Sequence, residues 1–450
     1  MPHGAPFPDN AERAMRMKQR GRRVVLTIVV ILGLSPALAP AEPSTADNHI
    51  VYYERLLRLN PTEARTYYRL GDAFIRKARE TGDLGYFTRA EAALQKSLEL
   101  APRNAGALRH LAYVFYSRHE FVTAATYATQ ALAIDPRDGD AYGVLGDAYL
   151  ELGRYDDAET AYRSMMAAGG DLYALARLAG LKSVRGDARG AIADLQLALE
   201  MGRVDRSYPS ESVAWTAWAL GAEQFAIGDI DAAHASYLTA LKTQPNYYRA
   251  LGSLAHVRAV QARYEDAIAL YKRALAVIPL PEYAAALGDV YARLGQLDDA
   301  RQQYELVEYI GHLTALNRVI YNRELAYFYA DHERKLDRAL ELARLEMSVR
   351  KDVYAYDILA WALYKNDLIT EALATTTDAL KLGTQDAKLF FHAGLIHRAA
   401  GHADLARHYL RRALATNPNF NLLQAEEARE VLARMDRAAE PITAENEAPW

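Results

Sequence analysis

Four histidines, His392, His397, His402 and His408, crowd into a short stretch near the end of this chain. Imidazoles that close could hold zinc, but a pair on one helix face needs a spacing of four, and these are spaced five, five and six. Packing or surface histidines are the expectation. The paired carboxylates Asp156/Asp157 and Asp298/Asp299 are of the type used for general acid and base work. They stand where a second helix starts, however, a position that the helix dipole favours for acids. Cysteine is absent from all 450 residues, which removes thiolate nucleophiles, disulfides, thiolate zinc sites and iron–sulfur clusters together. Nor does the chain contain a nucleophile elbow, a phosphate-cradling glycine loop, a dinucleotide fingerprint or a His-Glu-x-x-His helix. The expectation is a non-enzymatic protein with no cofactor and no metal.

The remaining chemistry is that of contact, and it depends on the elements that carry it. A 34-residue pattern appears at Ala105–Asp138 and again from Gly139. Leu108 falls on Tyr142, Leu111 on Leu145, Ala112 on Gly146, Phe115 on Tyr149 and Ala124 on Ala158. Each copy reads as two amphipathic helices of about 13 residues, with a small residue where the two must touch. Gly153 marks the turn of the second copy and Pro136 the end of the first. A self-similar period of this length predicts an all-α stacked array. It also explains how so long a chain shows no break in composition, since each repeat packs only on its neighbours.

The segment Ala141–Tyr162, with Tyr142, Leu145, Gly146, Tyr149, Gly153, Ala158 and Tyr162, resembles the tetratricopeptide repeat. Tyr248–Pro279 resembles it through Leu251, Leu254, Ala255, Ala267, Tyr271, Ala274 and Pro279. Met165 and Gly170 depart from the family's closing Ala and Pro. The likeness covers residues 50–420 and implies a right-handed superhelical solenoid of about ten helix-turn-helix repeats. Tyr149, Tyr162, Tyr237, Tyr271, Tyr291 and Tyr304 occupy positions that this family fills with packing aromatics. A swollen turn at Glu80–Phe87, a loop at Val204–Ser210 and a stretched junction at Gly311–Arg318 interrupt the period. The last three repeats begin near Val319, Val353 and Ala387. Residues 42–63 read as a linker and an N-terminal capping helix, 64–420 as the array, 421–436 as a C-terminal capping helix and 437–450 as a disordered tail.

Residues 1–41 have the order of a signal peptide. A basic stretch at Lys18–Arg23 precedes the apolar run Val24–Leu34, Pro36 breaks it, and Ala39-Pro40-Ala41 predicts cleavage before Glu42. The run falls short of the roughly 20 residues that span a bilayer, so an uncleaved inner-membrane anchor is the alternative. An exported, periplasmic protein is expected, and no cysteine follows the run to carry a lipid. Six of the 53 basic and two of the 57 acidic residues lie in this segment, so the rest carries 47 against 55, a net of −8. That balance gives no general pull toward nucleic acid or anionic lipid.

In such a solenoid the first helix of each repeat lines the concave face. Its open positions, near 2, 5, 9 and 12, select a candidate groove for a protein or peptide partner. At the N-terminal end these are Arg65, Tyr68, Arg109, Tyr113 and Tyr116, with Asp72, Asp140 and Asp147 among them. Tyr173, Trp215, Trp218 and Phe225 follow. Arg323, Tyr327, Asp357, Trp361, Tyr364, Phe391 and Arg398 close the series. Rigid rings with a polar rim suit a recognition surface, because they bury area at little entropic cost. An interaction scaffold is the expected function. The other reading is a helper of polysaccharide export, whose aromatic groove would bind glycan or secretion machinery.

Overall fold

The computed structural model describes residues 45–81, 83–316 and 322–439, and among them every regular element is a helix. A lone helix, α1 (Thr45–Leu59), precedes the first pair, α2 (Ala64–Thr81) and α3 (Gly85–Leu100). Then come α4 (Ala105–Ser117) with α5 (Phe121–Ile134), α6 (Gly139–Glu151) with α7 (Tyr155–Gly169), and α8 (Leu172–Val184) with α9 (Ala188–Val204). The middle of the chain pairs α10 (Ser210–Ala226) with α11 (Ile230–Thr243), α12 (Tyr248–Val260) with α13 (Tyr264–Val277), and α14 (Pro281–Arg293) with α15 (Leu297–Leu316). The last pairs are α16 (Asn322–Asp331) with α17 (Leu336–Val349), α18 (Val353–Lys365) with α19 (Ile369–Leu380), and α20 (Ala387–Ala399) with α21 (Ala403–Thr416). A final helix, α22 (Gln424–Ala439), ends the described chain. The insertion at Glu80–Phe87 is taken up mostly as extra helix at the facing ends of α2 and α3. The capping helix α22 starts at Gln424, three residues later than the 421 read from the sequence, and runs into the start of the segment read as tail. The proposed signal segment and the junction near Val319 lie outside the described residues.

Local chemistry sets these boundaries. Asn104, Asp138, Asp171, Asp352 and Asp386 cap first helices, each side-chain oxygen accepting from a backbone N–H in the first turn. Asp156/Asp157 and Asp298/Asp299 lie in the first turns of α7 and α15. Within a pair, the small residue lets a ring lie flat against the partner helix. A methyl at Gly146 would run into the Tyr162 ring, and one at Gly221 would come to 2.6 Å from Tyr237. Tyr162, Tyr237, Tyr271 and Tyr291 are buried as the repeat requires.

The superhelix winds tightly enough for successive coils to touch. The turn between α6 and α7, at Gly153, meets the carbonyl of Lys351 at the junction between α17 and α18. Gly186, between α8 and α9, likewise meets the carbonyl of Gly383, between α19 and α20. Gly228, between α10 and α11, meets Thr416 and Asn417, at the end of α21. Each contact joins points eleven helices apart, so one coil is about five and a half pairs. An apolar cluster fills the seam, with Leu150, Tyr155, Leu181 and Val184 packed against Val353, Tyr354 and Leu389. Intra-repeat turns and inter-repeat junctions lie on opposite edges of the helical ribbon. That is why a turn always meets a junction.

Candidate partner-binding surface

The inner face is built from the even-numbered helices α2 to α20, and neighbouring ones are bridged side chain to side chain. Tyr173 Oη lies 2.9 Å from Ser212 Oγ. The indole Nε1 of Trp218 donates to Ser253 at 2.9 Å, and Tyr327 Oη donates to Asp357 at 2.7 Å. Asp147 accepts from Arg177 through both oxygens at 2.9 Å and from Tyr162 Oη at 2.9 Å. These ladders repeat about every 30 to 40 residues because the same helix position recurs on the next rung.

The residues selected from the sequence therefore divide. Trp361 is 1% exposed; its ring stacks on His392 at 4.1 Å and on Tyr364 at 5.1 Å, and its Nε1 donates to Asp331 at 2.7 Å. Asp357 and Phe391 are buried beside it, and His392 Nδ1 is 2.9 Å from Asp357. These side chains are core, because α16, α18 and α20 pack on one another through them. Trp215 is also buried, at 9% exposure, with Trp218 tilted against it at 6.2 Å. Arg323 is consumed by Glu346 at 3.1 Å and Asp352 at 2.8 Å. Burial pulls its pKa down, but Asp352 and Glu346 outweigh that and hold the guanidinium charged. Phe225 stands edge-on to His256 at 5.1 Å. Arg65 and Arg398 are exposed at the two ends of the series.

At the N-terminal end the selected residues do converge. A hollow of about 240 Å³ opens between α2 and α4, lined by Tyr68, Asp72, Arg76, Arg109, His110 and Tyr113 among others. Tyr68 stacks on His110 at 5.1 Å, Arg76 pairs with Asp72 at 3.2 Å, and Arg109 reaches Asp138 at 3.2 Å and Asp140 at 3.3 Å. Burial, helped by Arg109, lowers the His110 pKa to about 4, so the ring is neutral near pH 7. Burial raises the carboxyl of Asp140 against the pull of Arg109. Arg79 reaches across the interior to Glu211 on α10 at 3.4 Å. Tyr116, farther along α4, leaves the hollow and points to Glu151 at 3.5 Å.

Arg69, Arg76, Arg79 and His110 line this hollow and were not on the stripe selected from sequence. They occupy positions 6, 13 and 16 of their helices, which a 3.6-residue period places beside positions 2, 5, 9 and 12. The stripe is wider than those four offsets allow, and the added turn at the end of α2 carries it on to Arg79. Among the described residues there is no group of three or more His, Asp or Glu arranged to hold a metal. His397 and His402 face each other at 3.3 Å between ring nitrogens, and His408 lies edge-on to Tyr409.

Stacked helix pairs, glycine-for-ring packing inside each pair and a ladder-lined inner face define a tetratricopeptide-repeat solenoid. The chain carries such repeats: family models described as tetratricopeptide repeat match residues 115–183, and residues 75–138, 219–282 and 254–312. It is similar to Protein CTR9 homolog of Arabidopsis thaliana, 37% identical over 107 residues that cover 23% of this chain and 9% of that protein. The match thus spans about a tenth of the relative's length. Among solved structures it is similar to the human IFIT1 dimer with PPP-AAAA, at 15% identity, with 74% of this chain and 77% of that one covered and a TM-score of 0.47. It is also similar to the yeast Tom70, at 15% identity, with 87% and 93% covered and a TM-score of 0.38.

Proposed function

We propose that this protein is an exported scaffold that holds a segment of a partner protein in the hollow between α2 and α4. The observation that carries the reading is the Tyr68–His110 stack, flanked by Arg76, Arg109 and the exposed Arg69. At this stretch of the selected stripe aromatic faces and charged groups border an open cavity rather than the next helix. Rings at such a place contribute contact area with few rotatable bonds, and the arginines supply direction through charge-assisted hydrogen bonds. The basic, apolar and small-residue order of residues 18–41 supports export.

A display library of random peptides, panned on the protein lacking residues 1–41, tests the reading. Retained peptides should lose at least tenfold in affinity with Tyr68→Ala or Arg109→Ala and be unaffected by Val122→Ser, a change on the exposed outer face. Retention of oligosaccharides from a glycan array, with no peptide selected, would turn the assignment to polysaccharide handling. Appearance of the chain in the periplasmic fraction with Glu42 as its first residue checks the export step.

A further inference from the structure

After α21 the chain abandons the path that the repeat prescribes. By the 34-residue period a next first helix would begin near residue 421, beside α20. Instead the segment Asn417–Gln424 crosses the ends of the inner helices α10 to α16. Asn417 Nδ2 donates to the carbonyl of Phe225 on α10 at 2.6 Å. The carbonyl of Phe420 lies 3.3 Å from His256 Nε2 on α12. Leu422 packs on the apolar cluster that contains Tyr291 of α14. Gln424 Nε2 donates to Asp331 of α16 at 2.9 Å, and Glu426 pairs with Arg293 of α14 at 2.6 Å. The Phe420 ring closes on Phe391 of α20 at 5.7 Å.

Few main-chain hydrogen bonds of its own stiffen this strap. The N–H of Asn419 is taken by the Asn417 side chain, and those of Leu423 and Gln424 by the Asn421 side chain. It is held to the molecule by tertiary contacts, of which the Glu426–Arg293 pair is nearly half exposed. Segments held in this manner open at lower free energy than packed helices. The fit is also incomplete, since the buried Gln424 Oε1 has no hydrogen-bond partner among the described residues.

We propose that the strap and the first turn of α22 form a displaceable self-ligand, and that the helix ends they cross are a docking site for a partner segment of the same chemistry. This rests on the reading of the chain as a peptide-holding scaffold but concerns a different part of the inner face. The site specifies its occupant position by position. Phe391 takes an aromatic ring, and His256 takes that residue's main-chain carbonyl. The α14 cluster takes an aliphatic residue two positions on. Asp331, held charged by Lys388 and the Trp361 N–H against the effect of burial, takes a donor four positions on. Arg293 takes an acid six positions on. An amide fits Asp331 and a carboxylate does not.

The test uses a fluorescent peptide with the sequence of residues 417–427 and the whole chain. The double variant Phe420→Ala/Gln424→Ala, with its fold verified by circular dichroism, should bind the peptide at least tenfold more tightly than wild type. Adding Arg293→Ala, or placing Lys at the peptide's Glu426 position, should remove that gain, while Tyr68→Ala should leave it unchanged. A folded double variant that does not bind, or binds no better than wild type, overturns the proposal, and so does binding indifferent to Arg293. Loss on Tyr68→Ala would assign the peptide to the α2–α4 hollow, so this proposal fails separately from the reading of the hollow.

Discussion

Glu151 and Arg350 are 199 residues apart in the chain, and their side chains meet at 2.6 Å, with Arg350 Nε donating to Glu151 Oε2. The pair ties one coil of the solenoid to the next. Beside it the backbone N–H of Lys351 donates to the Glu151 carbonyl at 2.8 Å, and that of Val353 donates to Tyr155 Oη at 3.0 Å. Arg350 also serves Glu346 at 2.8 Å, and Glu346 shares Arg323 with Asp352. Burial alone would push Glu151 far toward its protonated form; Arg350 opposes this, and its carboxyl remains raised.

Removing one member of this buried group leaves the others uncompensated. Arg350→Ala is predicted to destabilise the protein by about 3–5 kcal/mol in urea unfolding. Glu151→Gln together with Arg350→Met should cost less than Arg350→Ala alone. A single change costing under about 1 kcal/mol would show that the coils are not joined here.

Gly153 and Gly295 occupy the same turn of different repeats, with φ of 70° and 72°. An added methyl meets the Lys351 carbonyl at Gly153 and nothing within 4 Å at Gly295. Both changes to Ala carry the left-handed cost of roughly 1–2 kcal/mol. Gly153→Ala should cost more than Gly295→Ala, and the difference, read from thermal unfolding, measures the coil contact. Equal losses would mean that the coils are apart in solution.

Ala262 fills that turn in another repeat with φ of 57°. Ala262→Gly relieves the strain and is expected to stabilise by about 1 kcal/mol, against the usual direction for a glycine substitution.

Burial raises the Glu223 pKa to about 7, opposed by the hydrogen bond from Ser183 at 2.6 Å. A carboxyl raised above its unfolded value of 4.5 contributes stability through its proton below that value, and the contribution is lost as pH rises through 7. Glu223→Gln should therefore stabilise by roughly 2–3 kcal/mol at pH 8 and change little at pH 4. Equal effects at both pH values would place the carboxylate in contact with water.

Trp361→Ala should cost about 3–5 kcal/mol in unfolding free energy by opening a cavity between α16 and α20. Tyr68→Ala removes a half-buried ring that packs on His110 and beside Gly106, and should cost less than Trp361→Ala while lowering peptide affinity. A Trp361 variant that stays fully stable but loses peptide would return the indole to the binding surface.

The sequence by itself settled the hairpin. The 34-residue period and the small residue where the two helices touch, as at Gly146, are local rules, complete within one or two repeats. They placed the starts of α4, α6, α12, α18 and α20 at the residues where the helices begin. Helical periodicity also indicated which face of each first helix turns inward. What it left open was whether an inward side chain meets solvent, the next rung or a distant coil. Tyr68 and Trp361 hold equivalent kinds of position, yet one borders a hollow and the other is sealed under His392. Only the tertiary structure decided this, because the pitch of the superhelix is a sum of small rotations at every junction. Those rotations, compounded into a full turn over eleven helices, bring Glu151 to Arg350 and lay Phe420 and Gln424 across the inner face.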